Sequence, residues 1–525
     1  MKNRQGVAVM LGVLALGSIL AMTSCGPSVD LTGWSNGGNT DGTGIGPVTG
    51  FGSVIVNGVK YDDTGIDNTS FFDDHGRTKT ELMAGMMVKV TATGVNDVSG
   101  TGTATKIEVQ RHVDGPMDDN GVDLATNRLR VMGQSVVSDT TTVFDNVVAG
   151  GLIELAAIDN LVKAGKRPEF EIHGIADNTG TIHATFIHMW FDNVATGRDV
   201  QVRGTVANLN PTRTVFTLGT ISVNISTPPV GLANGLFVEV KGTFRISDNT
   251  LLATGVTIED PTAGQSAGDL VKAEGYVNRI ISATQFELVS SDGSQTVNWS
   301  TATTAFKDGT VADLVAGARI EVEGKRNLDK TVAAAEISFR KPSEIRLETV
   351  VTAKTPPAGT QSGSLTLFGK TVFVNALTQF KDDSNVNLNT FNFNDIVAFP
   401  LTGDNLVVSA YMDNSTGATK IIASRIERID SIAVDGNIIQ GIVEAKSGGA
   451  LLTILGITIQ TFPGTTEFLQ ADGTPFPGAT TNDRQANFFA AVIEGQSVVK
   501  ARGTAGSPSV LMTANEVQIR PTIDN

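Results

Sequence analysis

This sequence predicts an all-β chain of about six tandem small five-stranded barrels, and three observations carry that reading. Runs rich in Val, Ile, Thr and Phe place apolar residues on alternate positions around a Gly, as paired strands require. One ordered set of short signals returns six times along the chain. Past Met22, no segment is long and apolar enough to span a bilayer as a helix.

The first element is a leader, residues 1–25. Lys2 and Arg4 give it a positive start, and Val7 to Met22 carry no charge. That short apolar run suits a signal peptide. It ends in MTSC, which resembles a bacterial lipobox with Cys25 as the lipidated residue and Met22 where Leu is more usual. Cys25 is the only cysteine in 525 residues, so the chain holds no internal disulfide and no CxxC site. The lipobox resemblance implies an exported lipoprotein. Gly26, standing where Asp would retain it in the inner membrane, implies the outer membrane, on its periplasmic or cell-surface face. Residues 26–44 come next and are expected to be a flexible tether. Gly-rich polar sequence buries too little apolar surface to offset its ordering entropy.

Six repeats follow, expected at 45–111, 112–195, 196–262, 268–342, 343–430 and 431–525. Each opens with a Gly-bearing strand such as AEGYVNRI from residue 273. A hairpin-like pair comes next, as in FTLGTISVN from 216 or LTLFGKTVFVN from 365. A Thr-x-Phe signal then ends at Phe71, Phe144, Phe306, Phe380 and Phe468. Leu-x-x-Gly, as in Leu314 to Gly317, runs into an alternating strand with Ile320 and Val322 on one side. The last strand opens with Ala at 104, 184, 253, 334, 423 and 514 and has an aliphatic residue three positions on. Repeat three carries STPPV in place of Thr-x-Phe, and repeat five carries FNFNDIVAF in place of Leu-x-x-Gly. Five strands with a helical turn between the third and fourth resemble the OB-fold, a small Greek-key barrel. In that barrel Leu314 plugs one end, and Gly317 turns the chain into strand four. Gly324 turns it out again, and Ala334 lets strand five approach closely. The stretch EDPTAGQSAGD, 259–269, reads as a linker that bends between units three and four.

The stretch GIGPVTGFGSVIVNGVKYDDTG at 44–65, followed by the Leu-x-x-Gly and Ala-x-x-Ile strands, resembles domain-of-unknown-function family 5666. The match is closest in repeats one, three and four. The resemblance implies tandem β domains and export. It supplies no activity and no catalytic residue.

Composition and motifs narrow the chemistry. The net charge of −15 argues against nucleic acid as a partner, since phosphate binding needs a basic footprint. Three Trp and three Tyr are few for stacking platforms. His173 and His183 flank the DNTG turn of one hairpin. Closure at 177 and 180 would set them on opposite faces, and surface histidine is the reading adopted. The Asp pairs lack the Asp-x-Asp-x-Asp-Gly spacing of an EF-hand. Asp382 and Asp383 are the candidates for a weak calcium site, and no other cofactor is implied. SVVK, Ser497 to Lys500, matches S-x-x-K of acyl-serine enzymes, but its alternation marks a strand where that motif opens a helix. GKT at 369–371 ends like a phosphate loop, but Ser364 stands where the first Gly is required.

The expected function is therefore that of an exported, lipid-anchored, non-enzymatic envelope protein. It would touch the membrane through its lipid and act as scaffold, spacer or binding and adhesive surface for an envelope glycan or protein. The alternative is an exported hydrolase with its site between barrels, repeat two being the best candidate. The sequence does not fix the oligomeric state.

Overall fold

The structure, a computed structural model, describes residues 40–520 except 51–52, 97–98, 140, 147–154, 194–198, 342, 356–362, 376, 387, 389–390, 399–402, 414–418 and 507–510. Cys25, the leader and residues 26–39 lie outside the described residues.

Strand pairing builds one closed barrel repeatedly. In the fourth unit, strand one (Leu270–Ser282) pairs with strand two (Gln285–Ser290), which pairs with strand three (Gly293–Asn298). Strand three runs parallel to strand five (Val332–Phe339). Strand five pairs antiparallel with strand four (Arg319–Arg326), and strand four returns to strand one. This circuit, 1-2-3-5-4-1, is that of the OB-fold. The same circuit organises 40–109, 113–191, 345–429 and 437–520. The unit at 199–258 closes through a single bridge, Ala207 with Thr217. The chain is all-β with repeated barrels, as the pattern predicts.

The recurring signals share one physical cause. Closure sends strand four sharply across strand five, and a β-bulge takes up the bend. The bulge falls beside Ala92, Gly174, Gly242, Gly324, Ala410 and Gly503 in strand four of successive units. Opposite them stand Ala104, Ala184, Ala253, Ala334, Ala423 and Ala514, the Ala that opens each repeat's last signal. At Gly174, Gly242, Gly324 and Gly503 a Cβ would overlap a carbonyl oxygen of strand five. Gly324, expected to turn the chain out of strand four, therefore does not do so. It lies within the strand, where the two backbones approach too closely for a side chain.

The Thr of Thr-x-Phe completes the joint. Its hydroxyl donates to the carbonyl of the crossing Ala: Thr142 to Ala184 at 2.7 Å, Thr304 to Ala334 at 2.8 Å, Thr378 to Ala423 at 2.7 Å and Thr466 to Ala514 at 2.6 Å. A bulge interrupts the ladder, and a buried carbonyl left without a donor is costly. The residues that follow form a short strand parallel to strand five, Ala305–Lys307 in the fourth unit. Among the described residues the third unit, which lacks the motif, has no such strand. In the first unit Thr69 caps Asp67 instead, while Phe71 still pairs with Ile107.

Between strands three and four lies a capped helical turn. Reciprocal capping boxes form at Thr78/Glu81, Thr310/Asp313, Asn392/Asp395 and Thr480/Asp483. The second and sixth units carry full helices there, Leu155–Lys163 and Thr481–Ala491. In the fifth, FNFNDIVAF buries Phe391, Phe393 and Ile396 where Leu314 plugs the fourth.

Strand one of the first unit spans Thr40–Gly50, so residues 40–44 are not tether. Their glycines serve close approach. A Cβ at Gly44 would strike the Tyr61 hydroxyl, and one at Gly46 the Asn57 amide. Asn57 Nδ2 donates to the carbonyls of Ile45 (2.8 Å) and Lys272 (3.0 Å), tying two units together.

The barrels pair through strand one. The first and fourth units join in parallel, Gly42–Ile45 against Leu270–Ala273. The second and third pair antiparallel, as do the fifth and sixth. In these last two pairs one hydrophobic core runs through both barrels. The stretch 259–269, expected to bend, is packed. The Pro261 carbonyl accepts from Lys89 Nζ at 3.4 Å, Asp260 pairs with Lys330 at 3.0 Å, and Thr262 is buried.

Thr466→Val keeps the side chain's shape and removes the donor. It is expected to destabilise the sixth unit by about 1–3 kcal/mol, the cost of an unmet buried acceptor. Thr466→Ser should retain most of the wild-type midpoint by calorimetry. An unchanged midpoint in Thr466→Val would show that the hydroxyl contributes nothing.

Candidate functional site

Charged residues on the outer faces of the barrels meet where the units pack. Between the first and second units Arg111, with no exposed side-chain surface, pairs with Asp73 and with Glu171 (Nε to Oε1, 3.0 Å). Arg77 reaches the same Glu171. Met87 N–H donates to His173 Nδ1 at 3.1 Å, which leaves Nε2 to donate to Glu171 Oε1 at 2.8 Å. Burial opposes ionisation of Glu171. The hydrogen bonds from His173 and Arg77 outweigh it and hold the carboxyl well below its ordinary range.

A second cluster joins the first, third and fourth units. Lys89 pairs with Asp292 at 2.7 Å, both buried. Arg203 holds Glu239 at 2.6 Å and lies 3.8 Å from Glu259. Lys241 Nζ also reaches Glu239, at 3.1 Å. Burial pushes the Glu259 carboxyl up to about 7 despite attraction from Arg203.

The histidines are structural in their contacts. His173 is fully buried, which corrects the surface reading. A bulge sets it opposite Phe186, and His183 pairs with Ile175. His183 Nε2 meets Asp177 Oδ2 at 3.1 Å, His188 Nδ1 meets Asp145 Oδ2 at 2.8 Å, and His75 holds Asp114. Each of these four rings meets its own carboxylate, and they converge on no shared point. Among the described residues no group of three or more His, Cys, Asp and Glu is placed to hold a metal ion. Asp382, a calcium candidate, receives the Arg428 guanidinium on both oxygens together with Ser384 and Leu388 N–H groups. Asp383 pairs with Lys381 at 2.7 Å. Burial and the neighbouring Glu427 push the Asp383 carboxyl up.

A cleft of about 360 Å³ opens where the second, fifth and sixth units meet. The second unit contributes Leu124, Phe144, Leu155 and Ala156 together with Asn127, Ser138, Asp139 and Thr142. The fifth and sixth contribute Arg346, Arg425, Lys500 and Arg520 from four different strands, and with them the carboxyls of Glu344, Glu427 and Asp472. Arg425 Nη1 also donates to the Thr142 carbonyl of the second unit at 3.1 Å, and Nη2 holds Glu427. Lys500 is the last residue of SVVK and lies in strand four of its barrel, as the alternation indicates. No sequence signal singled out this set, because its members lie up to hundreds of residues apart. The volume falls within the range of small-molecule sites.

The second cluster sets a pH dependence. The unfolded chain ionises Glu259 near its ordinary 4.5, the folded chain only near 7. The folded state therefore holds the extra proton in that window, and stability falls as pH rises through it. Glu259→Gln is expected to melt higher than wild type at about pH 8, with the difference vanishing near pH 4.5. An equal difference at both pH values would assign it to packing.

Comparison with known proteins bears on the barrels. The model of Domain of unknown function (DUF5666) matches residues 45–108, 193–257, 266–338 and 350–427. These are the first, third, fourth and fifth units, so the fifth is matched although its Leu-x-x-Gly signal is replaced. No curated protein matches. Among solved structures, drosophila Unr CSD456 is similar at 14% identity, covering 45% of this chain and 98% of its own, with a TM-score of 0.12. A multidomain protein with nucleic acid binding domains from Streptococcus pneumoniae TIGR4 is similar at 11% identity, covering 48% of this chain and 73% of its own, again with a TM-score of 0.12. Scores this low carry no argument about binding. The family model spans more than half of the chain, which therefore belongs to the family of Domain of unknown function (DUF5666).

Proposed function

We propose that this chain is an exported, lipid-anchored envelope protein whose barrels form a compact, non-catalytic binding scaffold. One observation carries the choice of scaffold over spacer. The first and fourth units share a parallel strand pair, although two barrels separate them in sequence. A chain that folds back on itself gives up reach, which is what a spacer needs. In exchange it gains surfaces between barrels, including the cleft. The lipobox at Cys25 supports the anchor, and the net charge of −15 supports a partner other than nucleic acid. For the hydrolase alternative, the one carboxylate of the cleft with a close partner acid, Glu427, is bound to Arg425, which disfavours it as a free base.

Two measurements test the reading. Small-angle scattering of the purified chain should give a radius of gyration near that of a compact chain of its size, about 23 Å for roughly 480 residues. A much larger value, as from a string of separate barrels, overturns the scaffold. Cys25→Ala should move the protein from the membrane fraction to the soluble fraction of cells. Retention in the membrane overturns the lipid anchor.

A further inference from the structure

Strand five of the third unit, Thr250–Ile258, keeps an edge that the other barrels cover. In each of the other five, a short strand lies parallel against strand five, as where Phe144 stands opposite Ile187 and Phe306 opposite Ile337. The aliphatic residues covered in this way, Ile107, Ile187, Ile337, Ile426 and Val517, are fully buried. Val256 holds the same place in the third unit, three positions past Ala253, and is only partly buried, as is Ile258. There the chain runs from Ile225, the end of strand three, straight to the buried Leu232 through Pro228 and Pro229. The fourth unit fits Ala305–Lys307 between Asn298 and Leu314.

The backbone of this edge points at the gap. The Glu259 N–H donates to the Phe237 carbonyl of strand four. Alternation along a strand turns the groups of Thr257 the same way and those of Val256 and Ile258 to the other side. In the first unit the Ile107 N–H, at the place of Val256, donates to the Ser70 carbonyl at 2.9 Å. In the third, strand three covers strand five only as far as Ala253, and among the described residues no strand continues that pairing to Val256 or Ile258. An open edge of this kind is a template for an added strand.

The sequence holds a segment that fits. Residues 32–36, TGWSN, repeat the Thr-x-aromatic-x-Asn of TVFDN at 142–146, whose Val143–Asn146 fill this slot in the second unit. They lie outside the described residues and lead into strand one of the first unit at Thr40. The first unit touches the third just past Ile258: Lys89, opposite Ile45 of that strand, donates to the Pro261 carbonyl at 3.4 Å. From Asn36 to Thr40 the chain can span about 14 Å. We infer that residues 32–36 add a parallel strand to the third unit of their own chain, with Trp34 opposite Val256 and the Thr32 hydroxyl at the Ala253 carbonyl. The segment expected to be tether then braces the third barrel against the start of the first. This goes beyond the scaffold reading and does not depend on the lipid anchor.

Hydrogen exchange of the full chain in detergent tests it. The Val256 and Ile258 amides should exchange at least about tenfold more slowly in wild type than in a chain carrying Thr32→Ala and Trp34→Ser, while the Ile337 amide exchanges equally in both. Both substitutions lie before the first barrel, so the six barrels stay folded in the comparison. A second measurement fixes the register. In a Cys25→Ala chain, Ser35→Cys with Thr257→Cys should close a disulfide within one chain under mild oxidation, because the pairing sets these two residues side by side. Fast exchange at Val256 in wild type, or equal exchange in the two chains, overturns the inference. A disulfide that forms only between chains assigns the segment to a second copy and overturns docking within one chain.

Discussion

Everything in this chain depends on how strand four crosses strand five. A five-stranded barrel closes only if one pair of strands bends sharply, and the bend brings two backbones within reach of each other's carbonyls. Gly174, Gly242, Gly324 and Gly503 accept that approach because they carry no Cβ, and the facing Ala carries the smallest. The bulge disturbs the ladder at the same place, and four threonine hydroxyls return a donor to the Ala carbonyl. Steric clearance and hydrogen-bond satisfaction are thus met by three small residues in the second, fourth, fifth and sixth barrels. Most other inward positions need only be apolar and of suitable size.

That economy leaves the outer faces free to specify assembly. Lys89 with Asp292 and Arg111 with Glu171 are buried pairs that cross from one barrel to another. Burying a charge is costly unless its partner is present, so a wrong barrel contact would leave a cation or a carboxylate alone in a low-dielectric interior. The apolar contacts between barrels are less discriminating. The ion pairs therefore set which barrel meets which, including the return of the fourth unit to the first. Glu259 marks the limit of this scheme: its burial outweighs the attraction of Arg203 and drives the carboxyl toward its neutral form.

The barrel was legible in the sequence because its constraints are local. Thr-x-Phe, Leu-x-x-Gly and Ala-x-x-Ile report a cap, a turn and a crossing, each set within a few residues. Their meaning was less legible than their recurrence. Gly324 read as a turn because glycine more often marks one, yet it answers a long-range crossing. Gly42 and Gly44 read as tether for the same reason, yet they let Tyr61 and neighbouring backbone pass. The candidate site was not legible at all. Arg346, Lys500 and Ala156 carry no shared spacing, and only the packing of three barrels brings them to one cleft. The histidines misled in the opposite direction. His173 lies near His183 in sequence, but its partners come from the first unit and from its own strand.

Where repeats are copies, differences between them locate function better than what they share. The three units that form the cleft have the longest strand-to-strand spans of the six, 113–191, 345–429 and 437–520. The third unit, trimmed to 199–258, takes no part in it. In the second unit the added length includes the helix whose Leu155 and Ala156 line the cleft. A repeat array selected only for length or solubility has no reason to place its enlarged units around one cavity. Repeat proteins more often carry insertions on the face they bind with. The same elements that make these barrels atypical also build the cleft, so the enlargement of these three units and the way they pack are one feature of the fold.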